Sequence, residues 1–124
     1  LLLTPPASHA DTAADIQAVI TAQMDAFQRD DWEQAFTYAS PAIRNIFRTP
    51  DRFGGMVRRG YPMVWRPARV EAGPLEAGPN GPVQVMYIED SRGILHVAAY
   101  EMKRIDGEWR INGVRIRKAD ALST

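Results

Sequence analysis

The fold is decided by residues 83–118, which read VQVMYIEDSRGILHVAAYEMKRIDGEWRINGVRIRK. Side chains from Val83 to Glu89 alternate between apolar and mixed positions, and this period of two is typical of a β-strand. Turn residues follow at Asp90 to Gly93 and again at Asp106-Gly107, where a two-residue hairpin fits. We therefore predict an antiparallel meander of three strands, the second from Ile94 to Ile105 and the third from Trp109 to Lys118.

The last of these strands contains a slip in its apolar pattern. Trp109 and Ile111 share one face, whereas Val114 and Ile116 would share the opposite face unless one extra residue lies between the two pairs. A β-bulge at Asn112-Gly113 would supply that residue. Because a bulge bends and twists a sheet, we predict a curved sheet that wraps the helices and leaves a hollow at one end.

The residues upstream of the sheet predict four helices. Apolar residues at three-and-four spacing indicate a long first helix from Asp11 to about Arg29. Asp30 or Asp31 can cap a second helix, in which Trp32 and Phe36 fall at core spacing. Ser40-Pro41 and Thr49-Pro50 each place a hydroxyl N-cap before a proline, which is typical of a helix start.

The fourth helix and the segment after it carry several glycines and prolines. Gly54-Gly55 weaken the middle of this helix, so it requires a closely packed neighbour, and Gly60 is a natural left-handed stop. Met63 to Ala72 is interpreted as an irregular strand that Pro67 restricts to an edge or a bulge. Gly73 to Pro82 is interpreted as a loop. The expected class is therefore α+β, with N-terminal helices packed on a curved antiparallel sheet.

Composition limits the function classes that are open to this chain. Its 124 residues suit a single core, and fifteen basic residues balance fifteen acidic ones, so no net field favours nucleic acid. Cysteine is absent, and His9 and His96 are the two histidines. We therefore expect no structural metal, no thiolate nucleophile and no cofactor.

Residues 1–10, LLLTPPASHA, resemble the end of a secretory signal peptide. Three leucines end an apolar stretch, and Ser8 and Ala10 supply small residues ahead of Asp11. A disordered leader is the alternative interpretation. We expect a periplasmic or secreted protein in which residues 11–124 form one domain, because the rest of the chain has no run of ~20 apolar residues that could span a membrane.

The strand from Ile94 to Ile105 carries apolar residues on both of its faces. Ala98 and Tyr100 share one face, and Val97 and Ala99 share the other. Since a strand that is apolar on both sides is normally covered on both, we predict that helices cover one face and a second copy of the chain covers the other. The expected assembly is a homodimer through the open sheet face.

Helices followed by a bent meander resemble the nuclear transport factor 2-like, or cystatin-like, superfamily of cone-shaped domains. Within it, the chain resembles the bacterial family called domain of unknown function 4864. The sequence segments on which this resemblance is based are Ile16-Gln17-Ala18-Val19-Ile20, Ala26-Phe27-Gln28-Arg29-Asp30-Asp31-Trp32, Ala35-Phe36 with Ser40-Pro41, Met56-Val57-Arg58-Arg59-Gly60-Tyr61-Pro62, Arg66-Pro67 and Asp106-Gly107-Glu108-Trp109-Arg110-Ile111-Asn112-Gly113. That family has no assigned activity, so the resemblance implies a fold and export rather than a reaction.

A basic and aromatic cluster lies where the helices give way to the sheet. Its members are Arg58, Arg59, Tyr61, Trp65, Arg66 and Arg69. Arginine forks beside aromatic faces suit a carboxylate or phosphate ligand, or the centre of a protein interface. The alternative is a solvated turn whose guanidinium groups pair with local carboxylates such as Glu71.

Acid–base chemistry has few candidates. The resemblance implies isomerase-like or hydrolase-like relatives that use an Asp or His base with a Tyr or acid donor, and here His96 is the candidate base with Tyr100 or Tyr87 as donor. The alternative is a partly buried histidine among core aromatics.

We therefore predict an exported binding or interaction module without catalysis, which takes a small anionic or hydrophobic ligand through the basic and aromatic cluster. The His96 enzyme is the second hypothesis. An immunity or accessory protein is the third, and it rests on small size and export.

Overall fold

The computed structural model of the chain describes residues 8–119. Five helices come first and a sheet of four strands follows. The helices are α1 (His9–Gln28), α2 (Trp32–Thr37), α3 (Pro41–Phe47), α4 (Pro50–Gly60) and α5 (Pro62–Trp65), and the strands are β1 (Arg69–Gly78), β2 (Gly81–Glu89), β3 (Leu95–Ile105) and β4 (Glu108–Lys118). The α+β class with helices on an antiparallel sheet is confirmed.

The first helix begins slightly earlier than predicted, at His9 instead of Asp11. Ser8 is its N-cap, and the Ser8 hydroxyl and the Asp11 carboxylate each accept a hydrogen bond from the other residue's backbone N–H. One stripe of α1, which includes Ile16, Ile20 and Phe27, is buried against the sheet and the other helices. Residues 1–7 lie outside the described part, so the secretory leader stays a prediction.

The N-caps predicted for the short helices are confirmed. The side chains of Asp31, Ser40 and Thr49 each accept a hydrogen bond from the backbone N–H three residues further on. Pro41 and Pro50 occupy the first turns of α3 and α4, where the missing N–H has no helical partner in any case. These caps fix where each helix starts and therefore how tightly the chain turns between them.

The glycine pair of α4 behaves as predicted, but Gly60 does not. The indole of Trp32 lies so close to Gly54 that an added Cβ would approach it to 2.3 Å. The close neighbour that the glycines required is therefore Trp32. The prediction of a left-handed stop was wrong, because Gly60 is absent from the glycines with positive φ. Instead, Pro62 excludes helical backbone at Tyr61, which has φ −134°.

The segment between α4 and β2 was predicted only in part: Arg69 to Ala72 do belong to an edge strand, β1, but the bounds differ. Met63 to Ala72 is not one irregular strand, because residues 62–65 form the short helix α5 and β1 starts at Arg69. Residues 73–82 are not a loop either, since β1 continues to Gly78 and pairs with β2. A register shift between Ala72 and Leu75 takes up the Gly73-Pro74 pair, so these residues interrupt the ladder without ending the strand.

The sheet is antiparallel with the strand order β1-β2-β3-β4. On β4, Gly113 pairs with Glu101 and Ile111 pairs with Met102, which leaves Asn112 as an extra residue. The predicted bulge is therefore confirmed at its predicted position. It returns Val114 and Ile116 to the same side as Ile111, where all three belong to the apolar interior.

Hydrogen bonds fasten this bulge to the helical layer. The Ser40 hydroxyl donates to Asn112 Oδ1 at 2.7 Å, and Asn112 Nδ2 donates to Glu101 Oε1 at 3.2 Å. The backbone N–H of Ser40 donates to the carbonyl of Ile111, and the Ile111 N–H donates to the carbonyl of Tyr38, both at 2.8 Å. The edge of β4 is thus closed by the α2–α3 connection just where the strand bends.

The two faces of the sheet differ in what covers them. Ala98, Tyr100 and Met102 of β3 point towards the helices and are buried, whereas Val97 and Ala99 lie on the outer face and are half-buried. Within residues 8–119, no helix is long and apolar enough to cross a bilayer.

The Trp32–Gly54 contact predicts opposite effects for two neighbouring substitutions. Gly54→Ala should lower the free energy of unfolding by about 1–3 kcal/mol, because its methyl group would displace the Trp32 ring from a packed site. Gly55→Ala should raise it by up to about 1 kcal/mol, because alanine favours helix and the new Cβ meets the movable end of Arg59. Urea unfolding of both variants measures the difference. Equal effects would contradict the assigned contact.

Candidate functional site

An apolar cavity of about 300 Å³ lies between the helical layer and β4. Its wall is built from α1, the α2–α3 connection, α3, α4, α5, β3 and β4, with Tyr61 between α4 and α5. The residues that line it are Gln23, Phe27, Ala39, Ile43, Ile46, Phe47, Phe53, Met56, Val57, Tyr61, Val64, Tyr100, Ile111, Gly113, Val114 and Ile116. The hollow that the curved sheet was predicted to leave is therefore present.

Aromatic rings form the inner part of this wall. Phe53, Phe27 and Phe47 line the cavity, with ring centroids 5.7 Å from Phe53 to each of the other two, and Phe36, outside the lining, lies 5.5 Å from Phe53. Tilted and edge-on pairs at such distances are favourable and hold the rings in fixed positions. The rim is different, because Ile46 of α3 is 68% exposed. The cavity therefore has a rigid inner end and an apolar rim in contact with solvent.

Polar groups are sparse in the wall. The Gln23 amide donates to the carbonyl of Ala35 at 3.1 Å and is thereby held in place. Tyr100 is fully buried, and its hydroxyl has no hydrogen-bond partner among the described residues. Burial raises the pKa of Tyr100 above the usual tyrosine value, so the phenol stays protonated. None of the described residues that border the cavity is charged.

His96 is hydrogen-bonded to the β2–β3 turn and does not line the cavity. Its side chain is buried, and Nε2 lies 2.8 Å from Asp90 Oδ2. This hydrogen bond holds the pKa of the Asp90 carboxyl below its usual value, helped by the backbone N–H groups of Ile94 and Arg92. Since an ionised carboxylate can only accept, the proton of this bond is on Nε2. Nδ1 of His96 is buried without a partner in the described part of the chain.

The candidate catalytic residues are not brought together. His96 is not among the residues that line the cavity. Tyr87 pairs with Val97 and lies on the outer face, whereas His96 pairs with Ile88 on the inner face, so the predicted approach of Tyr87 was wrong. Tyr100 shares the face of His96 but lies four residues along β3, about 13 Å away at the usual strand rise. The three side chains therefore form no base–donor pair.

Within the basic and aromatic cluster, Trp65 and Arg66 are engaged with the end of α1. The Trp65 indole donates to Asp30 Oδ1 at 2.8 Å, and Arg66 donates to the same oxygen at 3.2 Å. Arg66 also donates to the carbonyl of Phe27 at 2.8 Å and lies 4.1 Å from the centroid of the Trp65 ring. The hydrogen bond from Trp65, with the charge of Arg66, holds the pKa of Asp30 below its usual value.

The other four members of the cluster have different neighbours, and Arg58 is the one that lies beside Trp65 and Asp30. Arg58 lies 5.6 Å from the Trp65 ring, and Arg59 folds back beside Gly55 of its own helix. Arg69 is paired with Glu89 at 3.6 Å and not with Glu71. Tyr61 alone of the six lines the apolar cavity. The predicted ligand site is thus divided among three places. Trp65 and Arg66 are hydrogen-bonded to Asp30 at the end of α1, the other arginines are exposed, and Tyr61 lines the cavity.

Trp65 and Arg66 border a second, more polar hollow between α5 and the β2–β3 turn, with Arg92 and Lys118 on its other side. Groups of three or more side chains suited to a metal ion are absent from residues 8–119. Most residues of the apolar cavity were missed from the sequence. Two features of the sequence could have predicted the cavity. One is the apolar stripe of α3, in which Ile46 is exposed and not part of the core, and the other is the pair Val114 and Ile116 beyond the bulge.

Helices packed on a bent four-stranded sheet around an apolar cavity make up the NTF2-like fold. Among solved structures, the chain is similar in fold to an NTF2-like protein of unknown function from Shewanella baltica OS155, with a TM-score of 0.60 and 10% identity over 94% of this chain and 100% of that one. The chain belongs to the family described as domain of unknown function, DUF4864, whose model matches residues 9–124. No curated protein matches it.

The contacts of Arg66 predict a structural role that Arg69 does not share. Arg66→Ala should lower the free energy of unfolding by about 1–2 kcal/mol, because it removes the donor to the Phe27 carbonyl and the cover of Trp65. Arg69→Ala should change it by less than about 0.5 kcal/mol, since its side chain is 77% exposed. Thermal unfolding of the two variants provides the comparison. An unchanged melting temperature for Arg66→Ala would exclude a structural role of the Arg66 contacts with Phe27 and Trp65.

Proposed function

We propose that the chain binds a small uncharged apolar molecule in its cavity and performs no reaction on it. The observation that carries the proposal is the wall itself, which consists mainly of aromatic and aliphatic side chains and has no charged residue in the described part of the chain. Its volume of about 300 Å³ lies at the lower end of the usual range for ligand pockets, about 300–1,000 Å³. A preformed apolar site of this size gains free energy from desolvation without having to reorganise.

The lack of charged side chains among the described residues of the wall favours an uncharged ligand over an anionic one. A carboxylate or phosphate taken into the cavity would lose its hydration and find no cation in the described wall. Arg66 and Arg69 of the basic and aromatic cluster are paired with Asp30 and Glu89, and no arginine of the cluster lines the cavity. A reaction would also need an acid–base pair at the wall, and His96 is committed to Asp90 outside it.

A test of binding compares a cavity substitution with its neighbour on the same strand. Val114 lines the cavity, and Arg115 points to the opposite face. Indane, a bicyclic hydrocarbon without polar atoms, should bind the unmodified chain in an amide NMR titration, with shifts confined to wall residues. Val114→Trp should weaken binding at least about ten-fold by filling the site, and Arg115→Trp should leave it unchanged.

Circular dichroism and the melting temperature of both variants show whether they are folded. If Val114→Trp does not fold, Met56→Trp fills the same cavity from α4. Saturating indane without any shift in the unmodified chain would contradict the proposal.

We also propose that the outer face of the sheet pairs with the same face of a second copy. Val97, Ala99 and Tyr87 give this face a half-buried apolar centre. Its two sides carry opposite charges: Glu71 and Glu76 on β1, where Arg69 is paired with Glu89, and Arg115 and Arg117 on β4. A two-fold axis parallel to the strands places β4 of each copy over β1 of the other, so these charges meet.

Charge reversal tests this arrangement. The unmodified chain should scatter light as a dimer, and Arg115→Glu with Arg117→Glu should shift it towards a monomer by placing like charges together. Glu71→Arg with Glu76→Arg should do the same, and an equimolar mixture of the two double variants should recover the dimer mass. A monomer of the unmodified chain at high protein concentration would refute the proposal.

A further inference from the structure

We infer that the second hollow, between α5 and the β2–β3 turn, binds a small molecule that joins one carboxylate to a compact apolar body. The site goes beyond the proposed function, because none of its described lining residues belongs to the apolar cavity. The volume of the hollow is about 300 Å³. Its wall comes from α5 and the residue after it, the β2–β3 turn and the end of β4.

The first observation is that cations from three parts of the chain border this hollow. Arg66 follows α5, Arg92 lies in the β2–β3 turn, and Lys118 ends β4. Arg66 is already paired with Asp30, but among residues 8–119 neither Arg92 nor Lys118 forms an ion pair. Two cations that lack a carboxylate partner in the described chain therefore border the same space, where their fields add.

The carboxylate that also lines the hollow neutralises only part of this charge. Asp90 Oδ1 accepts from the backbone N–H groups of Arg92 and Ile94, both at 2.9 Å, and Oδ2 lies 2.8 Å from His96 Nε2. These three hydrogen bonds direct its oxygens into the turn. Because the single charge of Asp90 opposes those of Arg92 and Lys118, the remaining positive charge suits a singly charged carboxylate better than a phosphate dianion.

The β2–β3 turn holds the backbone of Arg92 in a fixed position. His96, which is buried, anchors the Asp90 carboxylate from below the turn. The N–H of Asp90 donates to the carbonyl of Ile94 at 2.9 Å, and Gly93 has a φ of 83°, which favours glycine. A turn with these internal hydrogen bonds has little backbone freedom left to lose when a ligand binds.

Apolar side chains form another part of the wall. Met63 and Trp65 of α5 and Ile94 of the turn border the hollow and are half-buried. The Trp65 ring is held in place by its hydrogen bond to the end of α1 and by the guanidinium 4.1 Å from its centroid. A ring attached to the carboxylate can bury its surface here while the carboxylate bonds to the two cations. A bare inorganic anion would leave this apolar surface unused.

The experiment compares two probes of nearly the same shape, benzoate and benzamide, in amide NMR titrations of the unmodified chain. Benzoate should shift the backbone signals of residues 90–94 and the indole N–H signal of Trp65. Benzamide should bind at least about ten-fold more weakly, because it lacks the charge that strengthens a hydrogen bond from a cation. The affinity for benzoate should also fall as the salt concentration rises.

Two double variants remove the same charge from different places. Arg92→Gln with Lys118→Gln should weaken benzoate binding about ten-fold and leave benzamide binding unchanged, because it removes the two partly solvated charged donors. Lys103→Gln with Arg104→Gln, at the opposite end of β3, should leave the binding of both probes unchanged. Arg92 and Lys118 are exposed, so their removal should not alter the melting temperature.

The outcomes decide the site independently of the proposed function, which indane tests at other residues. The inference is overturned if benzoate shifts no signal, shifts wall residues of the apolar cavity instead, or binds no more tightly than benzamide. Equal losses in the two double variants would reveal a non-specific charge effect and overturn it as well. Should the first double variant not fold, Lys118→Gln alone should weaken benzoate binding about three-fold, and no loss would count against the site.

Discussion

The structure depends on one extra residue, Asn112, and on the hydrogen bonds that hold it. Its amide oxygen accepts from the Ser40 hydroxyl, and its amide nitrogen donates to Glu101. Ser40 accepts in turn from the N–H of Ile43 as the N-cap of α3. Two polar side chains thus start a helix, bend a strand and join the two layers. Because Ser40 is buried, removing either partner would leave a desolvated polar group in addition to the lost contact.

The bend explains why the interior has a hollow and not only a packed core. At the start of β4, Ile111 is bonded to the α2–α3 connection and the layers touch. Beyond the bulge the strand turns away, and the short helix α3 reaches towards it with Ile43 and Phe47, which are half-buried. The aromatic group around Phe53 fills the inner end of the space. The outer end stays open because α3 has too few residues to bury a complete stripe.

The sequence predicted the features that depend on nearby residues. The N-caps of α2, α3 and α4, the hairpin turns and the bulge are each specified within a few positions, and these were found where expected. The second part of β1, residues 73–78, was missed because Gly73-Pro74 is typical of a loop, and only pairing with β2 keeps this segment extended. The site was harder to predict from the sequence, because its contacts also join residues that are far apart in the chain. Arg66 appeared available for a ligand because its partner, Asp30, lies 36 residues away, and facing on the sheet separates Tyr87 from His96.

The bulge also connects the two sides of the sheet. Along β4 past Asn112, Val114 and Ile116 face the cavity while Arg115 and Arg117 face outwards. Without the extra residue this order would invert, because side chains alternate strictly along a strand. Two arginines would then enter an apolar wall, at a large desolvation cost, and two aliphatic side chains would interrupt the charged outer edge. A single inserted residue therefore decides both the apolar character of the interior and the charge pattern of the outer face.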